Sequence, residues 1–139
     1  MGAEDNIATV RRAVQALNDH NMSAVMELAT PDVKRHDLAG ALPDATGQQN
    51  VVDTLQPILR ALPDLQVGID AISSTESRLA LQLTCSGTHQ GEFLGASPTG
   101  KRVTFSGINL YRFQGDKIAE TWQLMDVAGL LRQTGALSL

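Results

Sequence analysis

Three residues able to transfer a proton or to hydrogen-bond fall on the apolar side of the C-terminal segments when strand parity is counted. Steps of two from Leu79, Leu81, Leu83 and Cys85 bring His89 to that side; Asn109 falls in with Val103, Phe105, Tyr111 and Phe113; and Asp126 falls in with Ile118, Trp122 and Leu124. A carboxylate among apolar groups has its pKa raised by desolvation, which makes it a competent base for a proton beside a carbonyl. An imidazole or an amide next to it orients that carbonyl and bonds the resulting enolate. The counting makes Asp126 and His89 candidates for proton transfer and predicts that His89, Asn109, Trp122 and Asp126 face one cavity. A bulge in any strand reverses the assignment beyond it. Asp126 also precedes the run Val127-Ala128-Gly129-Leu130-Leu131, where an aspartate serves as a helix N-cap. His36-Asp37, at the end of a short strand, is open between a surface pair and a second contribution to the cavity. All five aromatic residues (Phe93, Phe105, Tyr111, Phe113, Trp122) follow position 92. They read either as packing between strands or as the wall of a pocket for a flat ligand, with Phe105, Tyr111 and Trp122 as substrate contacts.

Other constellations fail on their own chemistry. Gly95 to Lys101 has the glycine spacing of a phosphate loop, but Arg102 stands where a Ser or Thr is needed, and Val103-Thr104-Phe105 continues as a strand rather than a helix. His20, His36 and His89 are far apart and form no metal-ligand pair, so no metal is expected. Cys85 is the only cysteine, which excludes an internal disulfide.

The elements that must position these residues are legible as periodicities. Ile7, Val10, Val14 and Leu17 make one stripe of a helix over 4–18. A second short helix is predicted over 23–29 and stopped by Thr30-Pro31-Asp32, a strand over 33–37, a loop over 39–47, and a third helix over 48–62 ended by Pro63. Alternation then predicts strands at 65–71, 78–85, 103–113 and 117–125, the last two joined by a turn at Gln114-Gly115-Asp116, with a short helical segment closing the chain. Helices followed by strands make an α+β domain: a curved, largely antiparallel sheet with three N-terminal helices on its concave face and a cavity between.

At 139 residues the chain is expected to form a single domain over 1–139. The net charge of −4 and the scatter of basic residues from Arg11 to Arg132 exclude a nucleic-acid stripe. No apolar run approaches membrane-spanning length, and the first helix opens with Glu4-Asp5, so neither a membrane span nor a secretory signal is expected; the expected location is the cytoplasm.

The last third also resembles a known family. The runs from His89 to Gly95, Pro98 to Val103, Gly107 to Phe113 and Gly115 to Ile118, then Trp122, Asp126 and Gly129 to Gly135, are similar in order and content to the SnoaL-like polyketide cyclases of the nuclear-transport-factor-2-like superfamily. The resemblance covers about the last 50 residues. It implies a cone-shaped α+β barrel, a deep apolar pocket for a hydrophobic small molecule, no cofactor, and a homodimer or homotetramer packed through the sheet. It implies cofactor-independent aldol-type ring closure of a poly-carbonyl intermediate, with Asp126 at the position of the family's acid/base. The founding cyclase's assisting histidine is matched by Asn109. Hydroxylases, isomerases and non-catalytic binding members on the same scaffold are the alternatives.

Overall fold

The computed structural model describes residues 2–137. Helix α1 (Ala3–Asn18) and the short α2 (Met22–Glu27) lead into β1 (Ala29–Asp37), the two-residue β2 (Ala45–Thr46) and α3 (Gln48–Ala61). Four long strands follow: β3 (Gln66–Ser74), β4 (Arg78–Thr88), β5 (Arg102–Gln114) and β6 (Lys117–Met125), before α4 (Val127–Gln133). The six strands form one curved, unclosed sheet in the order β2-β1-β6-β5-β4-β3. This is the expected α+β cone.

Three details differ from the expectation. Strand β1 starts four residues early, at Ala29, and takes up Thr30-Pro31, so α2 ends at Glu27. Ala45-Thr46 leaves the expected loop to pair with Arg35 and Lys34. The β1–β6 pair is parallel, the one departure from an otherwise antiparallel sheet. The β5–β6 hairpin has the expected turn, with Gly115 at φ +62° as its first central residue.

Side-chain amides fasten the helices to the sheet. Asn18 exchanges two bonds with the backbone of Val67, at 2.9 and 2.7 Å. Buried Asn6 donates to the carbonyls of Thr75 and Glu76 in the β3–β4 turn. Gln48, opening α3, donates to the carbonyls of Met26, Ala29 and Thr30. These bonds satisfy backbone groups that a loop-rich end of a cone would otherwise bury unpaired. The helices can therefore bridge the sheet's concave face without collapsing onto it. Val10, Ile58, Leu81, Leu83 and Phe105 belong to the core that surrounds the gap.

Among the described residues no helix is long and apolar enough to cross a membrane.

Candidate functional site

The gap between α1, α2, α3 and the concave face is a cavity of about 150 Å³. Its walls are apolar: Val14, Leu17, Val25, Val51, Leu55 and Ile58 from the helices, and Leu81, Leu83 and Phe105 from the sheet. One side is polar, and strand register explains its composition. Arg35 on β1 stands beside Thr121 on β6, which stands opposite Tyr111 on β5. In the next row Gln123 on β6 stands opposite Asn109 on β5. All five line the cavity.

Within this cluster two polar atoms are buried and unpartnered: Nη1 of Arg35 and Oδ1 of Asn109. Arg35 is only 3% exposed; its Nη2 donates to Oε1 of Gln123, and no carboxylate forms an ion pair with it among the described residues. Burial pulls the guanidinium below its ordinary pKa, with Asp37, Asp44 and Tyr111 acting in the opposite direction. Asn109 Nδ2 donates to the Tyr111 hydroxyl at 3.0 Å, which leaves that hydroxyl's own hydrogen available to the cavity. Burial pushes Tyr111 above the ordinary phenol value, so it is a neutral donor. Cys85, also on the cavity wall, is pushed up to about 12 by burial and stays a thiol. Among the described residues no carboxylate or imidazole lines this cavity.

The structure therefore divides the expected site residues. Asn109, Phe105 and Tyr111 line the cavity as expected. Asp126 does not: it is exposed and caps α4, its Oδ1 accepting the Gly129 N–H at 2.9 Å. Trp122 lies on the outer face of the sheet. Both corrections have one cause. Across the β5–β6 ladder Arg112 pairs with Glu120 and Phe113 with Ile118, so Ala119 is an extra residue on β6. This bulge reverses parity after Ile118, turning Thr121, Gln123 and Met125 inward and Trp122 and Leu124 outward.

His89 is inward and 1% exposed, but it lies beyond the end of β4, packed between the end of α3, Phe93, Ala96 and α4 and away from the cavity, with its Nε2 unpartnered. Its Nδ1 is 3.1 Å from the Thr99 hydroxyl. His36 is on the outside, stacked on Trp122 with centroids 5.4 Å apart. Arg35 and Gln123 were not anticipated. A signal for Arg35 was available in the alternation Val33, Arg35 on β1, which puts Arg35 on the buried side; none was available for Gln123, which the bulge turns inward.

The larger space, about 490 Å³, is an open groove on the outer face bordered by Leu38, Arg78, Leu110 and Trp122. The enclosed cavity is the better candidate despite its size, because two of the four unpartnered buried side-chain atoms among the described residues, Arg35 Nη1 and Asn109 Oδ1, belong to its lining.

On the outer face His36 is held by two carboxylates, Asp44 at 3.1 Å and Glu120 at 2.6 Å, and Glu120 also accepts from Arg112 at 3.0 Å. Hydrogen bonding to Glu120, then to Asp44, raises the His36 pKa against partial burial. The His36 bond, with that from Arg112, lowers Glu120, and the Asp37 N–H, with the His36 bond, lowers Asp44. The imidazolium's contribution to stability is thus complete below about pH 6.5, the unfolded value, and is lost as pH rises through the raised folded value. The carboxylates' contribution is present above their unfolded values and lost on acidification. Melting temperatures measured from pH 5.5 to 8.5 are expected to fall toward the alkaline end in the wild type, and to lose this slope in His36→Gln. An identical slope in both proteins would remove His36 as its source.

Comparison with known proteins agrees with the fold. A family model for SnoaL-like polyketide cyclases matches residues 7–134. Among solved structures, AclR from Streptomyces galilaeus, suggested to be a hydroxylase, is 30% identical, with a TM-score of 0.87 over 99% of this chain and 89% of that one. IdmH from Streptomyces antibioticus, suggested to be a polyketide cyclase, is 25% identical, with a TM-score of 0.83 over 94% and 98%. A SnoaL-like protein from Jannaschia sp. CCS1 shares the fold at 18% identity and a TM-score of 0.87, over 98% and 95%. No curated protein matches in sequence.

Proposed function

Because the chain belongs to the SnoaL-like polyketide cyclase family, we propose that it closes a ring in a small poly-carbonyl compound held in the concave cavity, without a cofactor. The observation that carries this reading is the buried Arg35, whose unpartnered N–H shares the cavity with the unpartnered amide oxygen of Asn109. In an aldol closure a carbon beside two carbonyls gives its proton to water, and the enolate forms a C–C bond to another carbonyl whose π pair moves onto its oxygen. That alkoxide takes a proton from water, and the hydroxyl so formed is lost together with the remaining α-proton as one water. Arg35 Nη1–H and the Tyr111 O–H are donors for the oxygens on which charge develops. In an enclosed site such donors act with little competition from water. The apolar walls fold the chain so that its reacting carbons meet.

The test is incubation with short poly-β-keto esters, following mass and ultraviolet absorbance. Ring closure with loss of water, faster than in buffer, is expected. Asp126→Asn is expected to retain both turnover and stability, since Asp126 is an exposed cap and Asn caps as well as Asp. Loss of about 10²-fold or more in that variant would return the acid/base role to Asp126. Absence of product in the wild type leaves a binding member of the family. The likeness to AclR favours a second reading, hydroxylation of an aromatic polyketide. It is distinguished by an added oxygen atom in the product and by dependence on dioxygen.

Assembly through the sheet is part of the same proposal. Ile108, Leu110 and Leu124 are 51%, 45% and 47% exposed on the outer face, where Ile108 pairs with Leu124 and Leu110 with Trp122. A contiguous apolar patch on a sheet suits a two-fold contact with a second copy. Light scattering is expected to give a dimer for the wild type and a monomer for Ile108→Glu/Leu110→Glu. A monomeric wild type at micromolar concentration would refute self-association through this face.

A further inference from the structure

We infer that the molecule this cavity takes is already an anion when it enters: a compact, single-ring-sized organic monoanion whose acidic oxygen pairs with Arg35 and whose neighbouring hydroxyl donates to Asn109. The inference rests on the cavity being the small-molecule site, and it adds the charge and size of the ligand. Four observations converge on it.

A guanidinium only 3% exposed lacks any ion-paired carboxylate among the described residues, and one of its nitrogens has no partner at all. Leaving such a cation unpaired is costly, and an oxyanion reaching Nη1 supplies both the missing hydrogen bond and the missing countercharge. The unpartnered Asn109 Oδ1 is an acceptor, so it calls for a donor on the ligand. An acidic oxygen with a hydroxyl close by satisfies both atoms, whether it belongs to a carboxylate, a phenolate or an enolised 1,3-dicarbonyl.

Nothing on the cavity wall can create that anion. Among the described residues its titratable side chains are Arg35, Cys85 and Tyr111, a cation and two buried neutral acids, with no carboxylate or imidazole beside them. A ligand whose proton is lost in bulk water needs no base inside. Finally, a void of about 150 Å³ is comparable to one that holds a benzene ring, so the ligand that fits without displacing the helices is of single-ring size.

Salicylate and methyl salicylate test the inference by isothermal titration calorimetry. Both carry the ring and the hydroxyl, and only the first carries the charge. Salicylate is expected to bind about tenfold to a hundredfold more tightly than its ester, as a charged hydrogen bond predicts. Arg35→Met is expected to remove this preference, weakening salicylate about tenfold to a hundredfold more than the ester. Equal affinity of the wild type for acid and ester overturns the requirement for an anion and leaves the cavity reading intact. Binding of neither overturns both. A preference that survives in a folded Arg35→Met protein overturns the role of Arg35. The comparison of the two ligands on the wild type stands whether or not the variant folds.

Discussion

Arg35→Met is expected to lower kcat/KM for ring closure by about 10²–10³-fold while changing stability by no more than about 1 kcal/mol. The rate loss is the size found when one preorganised donor to a developing oxyanion is removed from a water-excluded site. The small stability change follows from two opposed effects. Replacing a buried cation that lacks an ionic partner by an apolar side chain of similar length relieves its desolvation. It also leaves the Gln123 carbonyl, which accepts from Arg35 Nη2, without its donor. Steady-state kinetics and thermal denaturation of the same preparation check both parts. An unchanged rate in a folded variant would remove Arg35 from the chemistry, and a large loss of stability would make it a structural residue.

Gly91→Ala is expected to cost about 3 kcal/mol, lowering the melting temperature by about 10 °C. A Cβ at Gly91 would lie 2.4 Å from the carbonyl oxygen of Arg60, 2.9 Å from its carbon and 3.1 Å from the Ala61 Cα. All three are backbone atoms, so no rotamer change relieves the clash. The approach is that close because the N–H groups of Gln90 and Gly91 both donate to the Ala61 carbonyl, at 2.9 and 3.2 Å, tying the segment after β4 to the last turn of α3. Separating the two would push outward the helix that carries Val51, Leu55 and Ile58, so weaker ligand binding should accompany the lost stability. Gly100 is the contrast: at φ +71° with no atom within 4 Å of a Cβ, its change to Ala should cost about 1–2 kcal/mol, from backbone strain alone. A Gly91→Ala protein as stable as the wild type would mean that the loop and helix separate freely.

The parts of the fold that could be read in advance are those governed by a regular period. The stripe Ile7, Val10, Val14, Leu17 and the alternation Leu79, Leu81, Leu83, Cys85 each repeat over enough residues to identify a helix and a strand. The parallel partner of β1 could not be read, because pairing depends on contacts some 85 residues apart, such as His36 with Trp122. The site was legible where parity ran undisturbed, at Phe105, Asn109 and Tyr111. It failed at Trp122 and Asp126, where a single inserted residue changes no composition and little periodicity. Arg35 was overlooked for a different reason: an arginine in a short strand suggests the surface, and only Gln123, across the ladder, shows what makes its burial tolerable.

The bulge at Ala119 also separates the protein's two most useful chromophores. The chain has one tryptophan and one tyrosine. Trp122, turned outward, stacks on His36 and lies 5.4 Å from the Arg78 guanidinium, so its emission reports protonation of the imidazole and coverage of the outer face. Tyr111, on the same β5–β6 ladder but facing the cavity, has its phenol beside the space a ligand fills, and its ultraviolet difference spectrum reports occupancy. Association of two copies and entry of a small molecule can thus be followed separately in one unlabelled sample.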